Sequence, residues 1–284
     1  MGDFTFDPAK AKAPTKPPPP TSDFTFNPKT TPGTVPAQVP QILVPGSGLV
    51  PTWSATMLKK YETCAYSVYL ERVKKVPQEK NVASDRGSAL HDIAECYVKS
   101  EWEAIADTSQ PFIKDWEDKI YPKFRADFDH LRDRFAEGKV EVEGNWGFTV
   151  DWEPTGWMGK DVWARAKLDV LEWQDENCAR VIDHKSGKKF GNEIPHAQQA
   201  MIYAIAAFMR YEQLEFVETD FWYLDHGLYS PQRYSRQQAS QFLPRITQRA
   251  TVLTSDTEFK PTPSKGNCMW CPFRANEACE WRVE

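Results

Sequence analysis

Two short stretches that alternate apolar and polar residues constrain this chain more than anything else in it. One is VWARAKLDVL, residues 162–171, and the other is ARVIDHKSGK, residues 179–188. A period of two marks a half-buried strand, because successive side chains point to opposite faces. In the first stretch Arg165, Lys167 and Asp169 fall on one face. Val162, Ala164, Ala166, Leu168 and Val170 fall on the other. In the second, Asp183 and Lys185 share a face. The polar run Gln174-Asp175-Glu176-Asn177 between them is a turn signal. A hairpin folded about Glu176 sets Asp169 opposite Asp183, with Cβ atoms roughly 5 Å apart. Two carboxylates that close repel unless a cation compensates them. Mg²⁺ or Mn²⁺ suits such a pair, having a preference for oxygen ligands and room for further ones. An ion of this kind polarises a phosphodiester and lowers the pKa of a bound water. Lys185 is placed to orient that water or to hold charge on the phosphorus. Taken alone, the same pattern is also that of an exposed hairpin with scattered charges.

The chain has 284 residues, enough for one large domain or two small ones. No apolar run approaches the ~20 residues of a membrane span, and the N-terminus lacks the order of a signal peptide. A soluble, cytoplasmic protein is the expectation, with no membrane among its partners. Net charge is −5; residues 1–50 carry about +1 of it and the remainder −6. Binding to nucleic acid therefore needs a local basic face rather than a global field.

Residues 1–48 are rich in Pro, Thr and Lys and too poor in apolar residues to order themselves. Within them Asp3-Phe4-Thr5-Phe6-Asp7-Pro8 recurs as Asp23-Phe24-Thr25-Phe26-Asn27-Pro28. The repeat reads either as a duplicated docking peptide, with Phe4, Phe6, Phe24 and Phe26 entering a protein partner, or as an inert duplicated linker. A globular domain is expected over 49–284. Helical patterning runs over 54–75, with Ser54 as N-cap, and over 86–105 and 112–136. Strands follow at 139–153 and 161–173, with a turn over 154–159, and then the strand holding Asp183. A helix is expected over 195–211, strands over 216–225 and 228–234, and a helix over 236–253. This order makes an α/β or α+β core with a helical addition.

With these residues placed, the chain resembles the PD-(D/E)XK nuclease superfamily, and more narrowly its RecB-like branch with a four-cysteine iron–sulfur cluster. Gly87-Ser88-Ala89-Leu90-His91 is similar to the branch's helical Gly-x-x-x-His motif. Lys167-Leu168-Asp169 stands where the family has its first acidic strand residue, and Asp183-His184-Lys185-Ser186-Gly187 matches its Asp-x-Lys-[Ser/Thr]-Gly run. Gln199-x-x-x-Tyr203 matches its Gln-x-x-x-Tyr helix. The resemblance covers roughly residues 50–280. It implies a mixed central sheet flanked by helices, with an N-terminal helical region and a C-terminal cysteine clasp. It also implies that His91, Asp169 and Asp183 ligate a divalent metal, with the backbone carbonyl of His184, and that Lys185 serves the attacking water. Gln199 and Tyr203 would contact DNA or brace the lysine. Arg165 and Lys167 share the face of Asp169, so they either meet phosphates or are merely solvated.

There are six cysteines, and an intracellular chain does not use them as disulfides. Cys268-x-x-Cys271 with Cys279 close behind is a metal-binding signal that needs a fourth thiolate. The resemblance supplies it as Cys64 and implies a 4Fe–4S cluster stapling the chain's end to its first helix. The gap from Cys271 to Cys279 is longer than the family's usual one, which keeps a Zn²⁺ site open. Cys96 and Cys178 have no evident partner. The expected function is a metal-dependent DNA exonuclease that processes ends in recombination, repair or replication, in a phage or its host. A non-cleaving end-binding module and a zinc-clasped adaptor are the alternatives. Digestion polarity, strand preference and oligomeric state are not legible.

Overall fold

The computed structural model describes residues 43–78, 82–187, 189–275 and 278–283. The duplicated Phe motif lies outside the described residues. The elements run β1 (Trp53–Ser54), α1 (Ala55–Thr63), α2 (Ala65–Arg72), α3 (Val82–Lys99), α4 (Ile113–Asp115), α5 (Tyr121–Ala136), β2 (Val140–Phe148), β3 (Pro154–Thr155), β4 (Ala164–Trp173), β5 (Cys178–Lys185), α6 (Glu193–Arg210), β6 (Phe216–Tyr223), β7 (Leu228–Ser235), α7 (Arg236–Ser255), α8 (Lys265–Met269) and α9 (Pro272–Ala275). This is the mixed α/β fold expected from the sequence, a mixed sheet with helices on both faces.

Three local departures have physical causes. The helix expected over 54–75 is broken at Cys64, whose backbone is extended (φ −160°, ψ 106°). Ser54 does cap α1, its hydroxyl accepting from the Met57 N–H at 3.3 Å. The helix expected over 112–136 is entered through one helical turn and a π turn (Trp116–Ile120). Pro122, with no N–H to give, sits in the first turn of α5 and interrupts the ladder there. Where a plain turn was expected after β2, Pro154–Thr155 forms the short strand β3 against Gly147 and Phe148. Gly147 permits that approach, since a Cβ there would sit 2.6 Å from the Gly156 carbonyl oxygen.

The strand order is β3-β2-β4-β5-β6-β7, with β1 pairing β4 as well. β1 and β4 are parallel, as are β5 and β6, and the remaining pairs are antiparallel. β1 pairs only with Ala164 and Arg165 at the start of β4, whereas β5 pairs only with Val170 to Trp173 at its end. Between these two pairings the sheet is split on that side of β4, and Lys167 and Asp169 lie along the split. The β4–β5 register matches Val170 with Ile182 and Leu171 with Val181. The hairpin about Glu176 is formed, but its pairing stops one step short of the Asp169–Asp183 pair expected from the sequence.

One expectation about β4 is corrected. Its period of two does not run through. Leu168 packs with Trp146 and Phe148 on the side of α1, α6 and α7, but Val170 packs with Phe128 and Trp222 on the side of α3 and α5. The change of face falls at Asp169. Its neighbour on β2, Glu143, has φ 52°, and the Glu143–Asp169 pair is missing from an otherwise continuous register. The local distortion re-aims a side chain in the way that bulges do.

Both faces of the sheet are sealed by aromatic residues. On the α5 face Phe128 lies 4.7 Å from Trp116, 5.3 Å from Trp222 and 5.5 Å from the His184 ring, and Phe124 stacks on Trp222 at 5.6 Å. Phe128 is wholly buried. Phe128→Ala is expected to lower stability by about 3–5 kcal/mol, read as a shift in urea midpoint at unchanged slope. A loss under ~1 kcal/mol would show that this cluster does not hold the helix to the sheet.

Candidate active site

The split in the sheet collects the residues expected in the site. Helix α3 brings His91, whose Nδ1 lies 2.9 Å from Asp169 Oδ1. Gly87, one turn earlier, lets α3 come close to the end of β5. A Cβ there would stand 2.9 Å from Ser186 Oγ. The other Asp169 oxygen, Oδ2, accepts the His184 backbone N–H at 2.6 Å. A backbone donor that a continued ladder would use is thereby given to a carboxylate.

Asp183 is buried beside Lys185 and α6. Its Oδ1 accepts from the Tyr203 hydroxyl at 3.0 Å and from Gln199 Nε2 at 3.4 Å. Lys185 Nζ lies 2.5 Å from Asp183 Oδ2 as an ion pair without hydrogen-bond alignment. The ammonium donates to Gln199 Oε1 at 3.1 Å and sits 5.1 Å from the Phe221 ring centroid. Gln199 also donates to the Tyr203 hydroxyl at 2.6 Å. Gln199 and Tyr203 thus both touch the Asp183–Lys185 pair. Residues 199 and 203 are one helical turn apart, so both face the same strand end.

Electrostatics separate the two carboxylates. Burial acts to raise the pKa of Asp169, but the hydrogen bond and charge of His91, with His184, outweigh it and bring it to about 2. Burial pushes Asp183 up despite Lys185, and the charge of Asp169 pushes it further. Burial brings His184 down to about 4, so its ring is neutral. Burial acts to lower His91 too, but its hydrogen bond to Asp169 raises it overall.

These groups fit a divalent cation. One ligand atom from each of His91, Asp169 and His184 lies within 4.8 Å of the others. Both ring nitrogens of the buried His184 have no hydrogen-bond partner, and Oδ2 of Asp183 has only the Lys185 ammonium beside it. The unprotonated nitrogen of a buried neutral imidazole, with no partner of its own, is an atom that a metal can take up. The resemblance implied His184 through its backbone carbonyl, whereas the atom that the structure brings to the cluster is a ring nitrogen. The cavity over the site is also lined by Asp92, Glu95 and Glu143, which were not singled out as site residues. Glu95 lies one turn beyond His91. Glu143 has no signal in the sequence; its strained backbone and its 2.5 Å ion pair with Lys167 emerge only in the fold. Lys167 lines the same cavity as Asp169 and Asp183, whereas Arg165 does not. Lys167 holds Glu143, and Arg165 Nε donates to the Trp157 carbonyl at 3.0 Å.

The four cysteines expected to act together also converge. Cys64, Cys268, Cys271 and Cys279 line one small cavity with Pro261, Pro263 and Trp281. Cys64 reaches it because of the break between α1 and α2. Asn267 fastens the tail there, its Nδ2 donating to the Thr63 carbonyl at 3.0 Å and the Thr262 carbonyl at 2.8 Å. Burial, and then the neighbouring cysteines, raise the pKa of the Cys271 and Cys279 thiols. Cys96 packs in the α3 core, and Cys178 Sγ donates to Gln174 at 3.1 Å.

The chain matches the model of the PD-(D/E)XK nuclease superfamily over residues 52–279, and it belongs to that superfamily. Membership implies nuclease activity of a class that uses divalent metals such as Mg²⁺ or Mn²⁺. No curated protein matches it. A solved structure described as the crystal structure of SSO0001 is similar at 14% identity, covering 82% of this chain and 87% of that one, with a TM-score of 0.39. Among the described residues no helix is long and apolar enough to cross a membrane.

Asp183→Asn is expected to weaken Mn²⁺ binding about tenfold or more in isothermal titration, without lowering the melting temperature. The amide keeps the side chain's shape and removes a buried charge. An unchanged titration would show that Asp183 is not a ligand.

Proposed function

We propose that the protein is a divalent-metal-dependent DNA exonuclease of the RecB-like branch, acting on ends in recombination, repair or replication. The observation that carries this reading is the convergence of Asp169, Asp183 and Lys185, residues from two strands, with His91, Gln199 and Tyr203 from two helices. His91, Asp169, Asp183 and His184 would hold the metal. When bound, it polarises the phosphodiester and acidifies a water.

The remaining work falls to the chain's own groups. Lys185 is held in place by Asp183, Gln199 and the Phe221 ring, with about a fifth of its side chain exposed. Its ammonium can therefore orient the attacking water and stabilise charge developing on the phosphate oxygens, with little rearrangement during reaction. Tyr203 and Gln199 keep Asp183 aimed into the cleft. The nuclease domain is taken to span 49–284, and the preceding 1–48 to carry the partner-docking Phe residues.

The cysteine cavity is proposed to hold a 4Fe–4S cluster on Cys64, Cys268, Cys271 and Cys279. Four thiols gathered from both ends of the domain, in a cavity with apolar walls, suit a cluster ligated entirely by cysteine. Cys268→Ser is expected to lose most of the iron of anaerobically purified protein and to melt at lower temperature. Stoichiometric zinc with no iron in wild type would assign the clasp to Zn²⁺ instead.

End-labelled linear DNA and closed circular DNA, each with Mn²⁺ or Mg²⁺, test the activity. Wild type is expected to shorten the linear substrate from an end and leave the circle intact. Lys185→Ala is expected to fall at least ~10²-fold. Cutting of the circle would make the enzyme an endonuclease, and binding without cutting would make the site a docking module.

A further inference from the structure

A second cavity, of about 470 Å³, lies beside the acidic one in the split between β1 and β5 along β4. The two share Lys167 and Tyr203. Their charges are opposite. Asp92, Glu95, Glu143, Asp169 and Asp183 line the first. The charged residues lining the second are Arg72, Arg165 and Lys167, with no Asp or Glu among them. In a chain of net charge −5 this is a local basic trough leading to the candidate metal ligands, the footprint that a phosphate backbone requires. Arg72 is paired with Glu71 at 3.1 Å and Lys167 with Glu143, so Arg165 is the cation of the three without a carboxylate partner among the ion pairs of the described residues.

Trp157, in the turn after β3, forms part of the wall and is half-buried. The Arg165 guanidinium lies 5.3 Å from its ring centroid and donates from Nε to its carbonyl oxygen at 3.0 Å. Ring and backbone are thus held by one side chain. Arginine carries five N–H donors; Nε goes to the Trp157 carbonyl and one Nη2 N–H to Met158 Sδ at 4.0 Å, which leaves capacity for an anion. The cavity has the volume of a small-ligand site. It is too small for a duplex, whose major groove alone is about 12 Å wide.

We propose that this cavity is the slot for the nucleotide adjoining the cut bond, with Trp157 as the platform on which its base stacks. Arg165 fixes the platform and meets the neighbouring phosphate. A base seated there is out of its helix, so the strand entering the cleft is single. Stacking on an indole tolerates any base, because every base has a π face, and the slot adds affinity without sequence preference. The assignment rests on the nuclease reading for what the slot feeds, and a binding measurement separates the two.

The test uses the full chain in EDTA, so that nothing is cut, with fluorescein-labelled oligothymidylate and a blunt duplex read by anisotropy. Trp157→Ala is expected to bind the single strand about tenfold more weakly and the duplex as wild type does. Trp157→Phe is expected to recover most of the loss. In cleavage assays Trp157→Ala should raise KM for single-stranded DNA and keep kcat. Unchanged single-strand affinity overturns the assignment, and so does an equal loss on both substrates. Trp157-dependent binding by a wild type that does not cleave leaves the slot standing and removes the nuclease reading. Cleavage with Trp157-independent binding does the reverse.

Discussion

The site depends on one hydrogen bond between a side chain and the backbone. Asp169 Oδ2 takes the His184 N–H at 2.6 Å. A carboxylate that accepts a backbone donor is held low in pKa and fixed in position. The bond also marks where the β4–β5 pairing stops, since the register ends at Val170 and Ile182. Beyond it β4 has no partner on that side until β1 joins at Arg165 and Ala164. The opening so created is where helix α3 supplies His91 and helix α6 supplies Tyr203. A continuous ladder would have put these helices on opposite faces of a closed sheet, with no common space between them.

Burying two carboxylates in that opening is costly, and the surrounding groups offset the cost unequally. Asp169 receives a backbone N–H and an imidazole, whereas Asp183 receives a phenol, an amide and one lysine. Their pKa values are therefore driven apart, Asp169 downward and Asp183 upward. A divalent cation favours the charged form of both. The aromatic layer of Phe128 and Trp222 keeps the His184 ring dry and neutral, the form in which an imidazole can ligate. Packing and chemistry are joined here, because a cavity at Phe128 would loosen a ring that belongs to the site.

The chain's end is held by different means. The helices after Ser264 are short and bury little apart from Cys268 and Phe273. Caps and the Asn267 bonds to Thr63 and Thr262 tie this segment to the break at Cys64. A thiolate-bound group in the cavity would add a cross-link between residues about two hundred positions apart. Such long-range closure constrains the unfolded chain more than a local contact does.

By itself the sequence determined the alternation of helices and strands, the turn that brings β4 and β5 together, and the superfamily, because these depend on local period, turn chemistry and residue order. Ser54 as a cap and the polar turn at Glu176 were legible for the same reason. The breaks at Cys64 and before Pro122 were less so, since apolar stripes continue across them. Only the tertiary structure decided that β4 changes face at Asp169, that the His184 ring joins the cluster, and that Glu143 lines the cavity. It alone set a basic slot with Trp157 beside an acidic site. Each of these arises from strands that part and from contacts between elements distant in the chain, and no period within a single element records where two elements will separate.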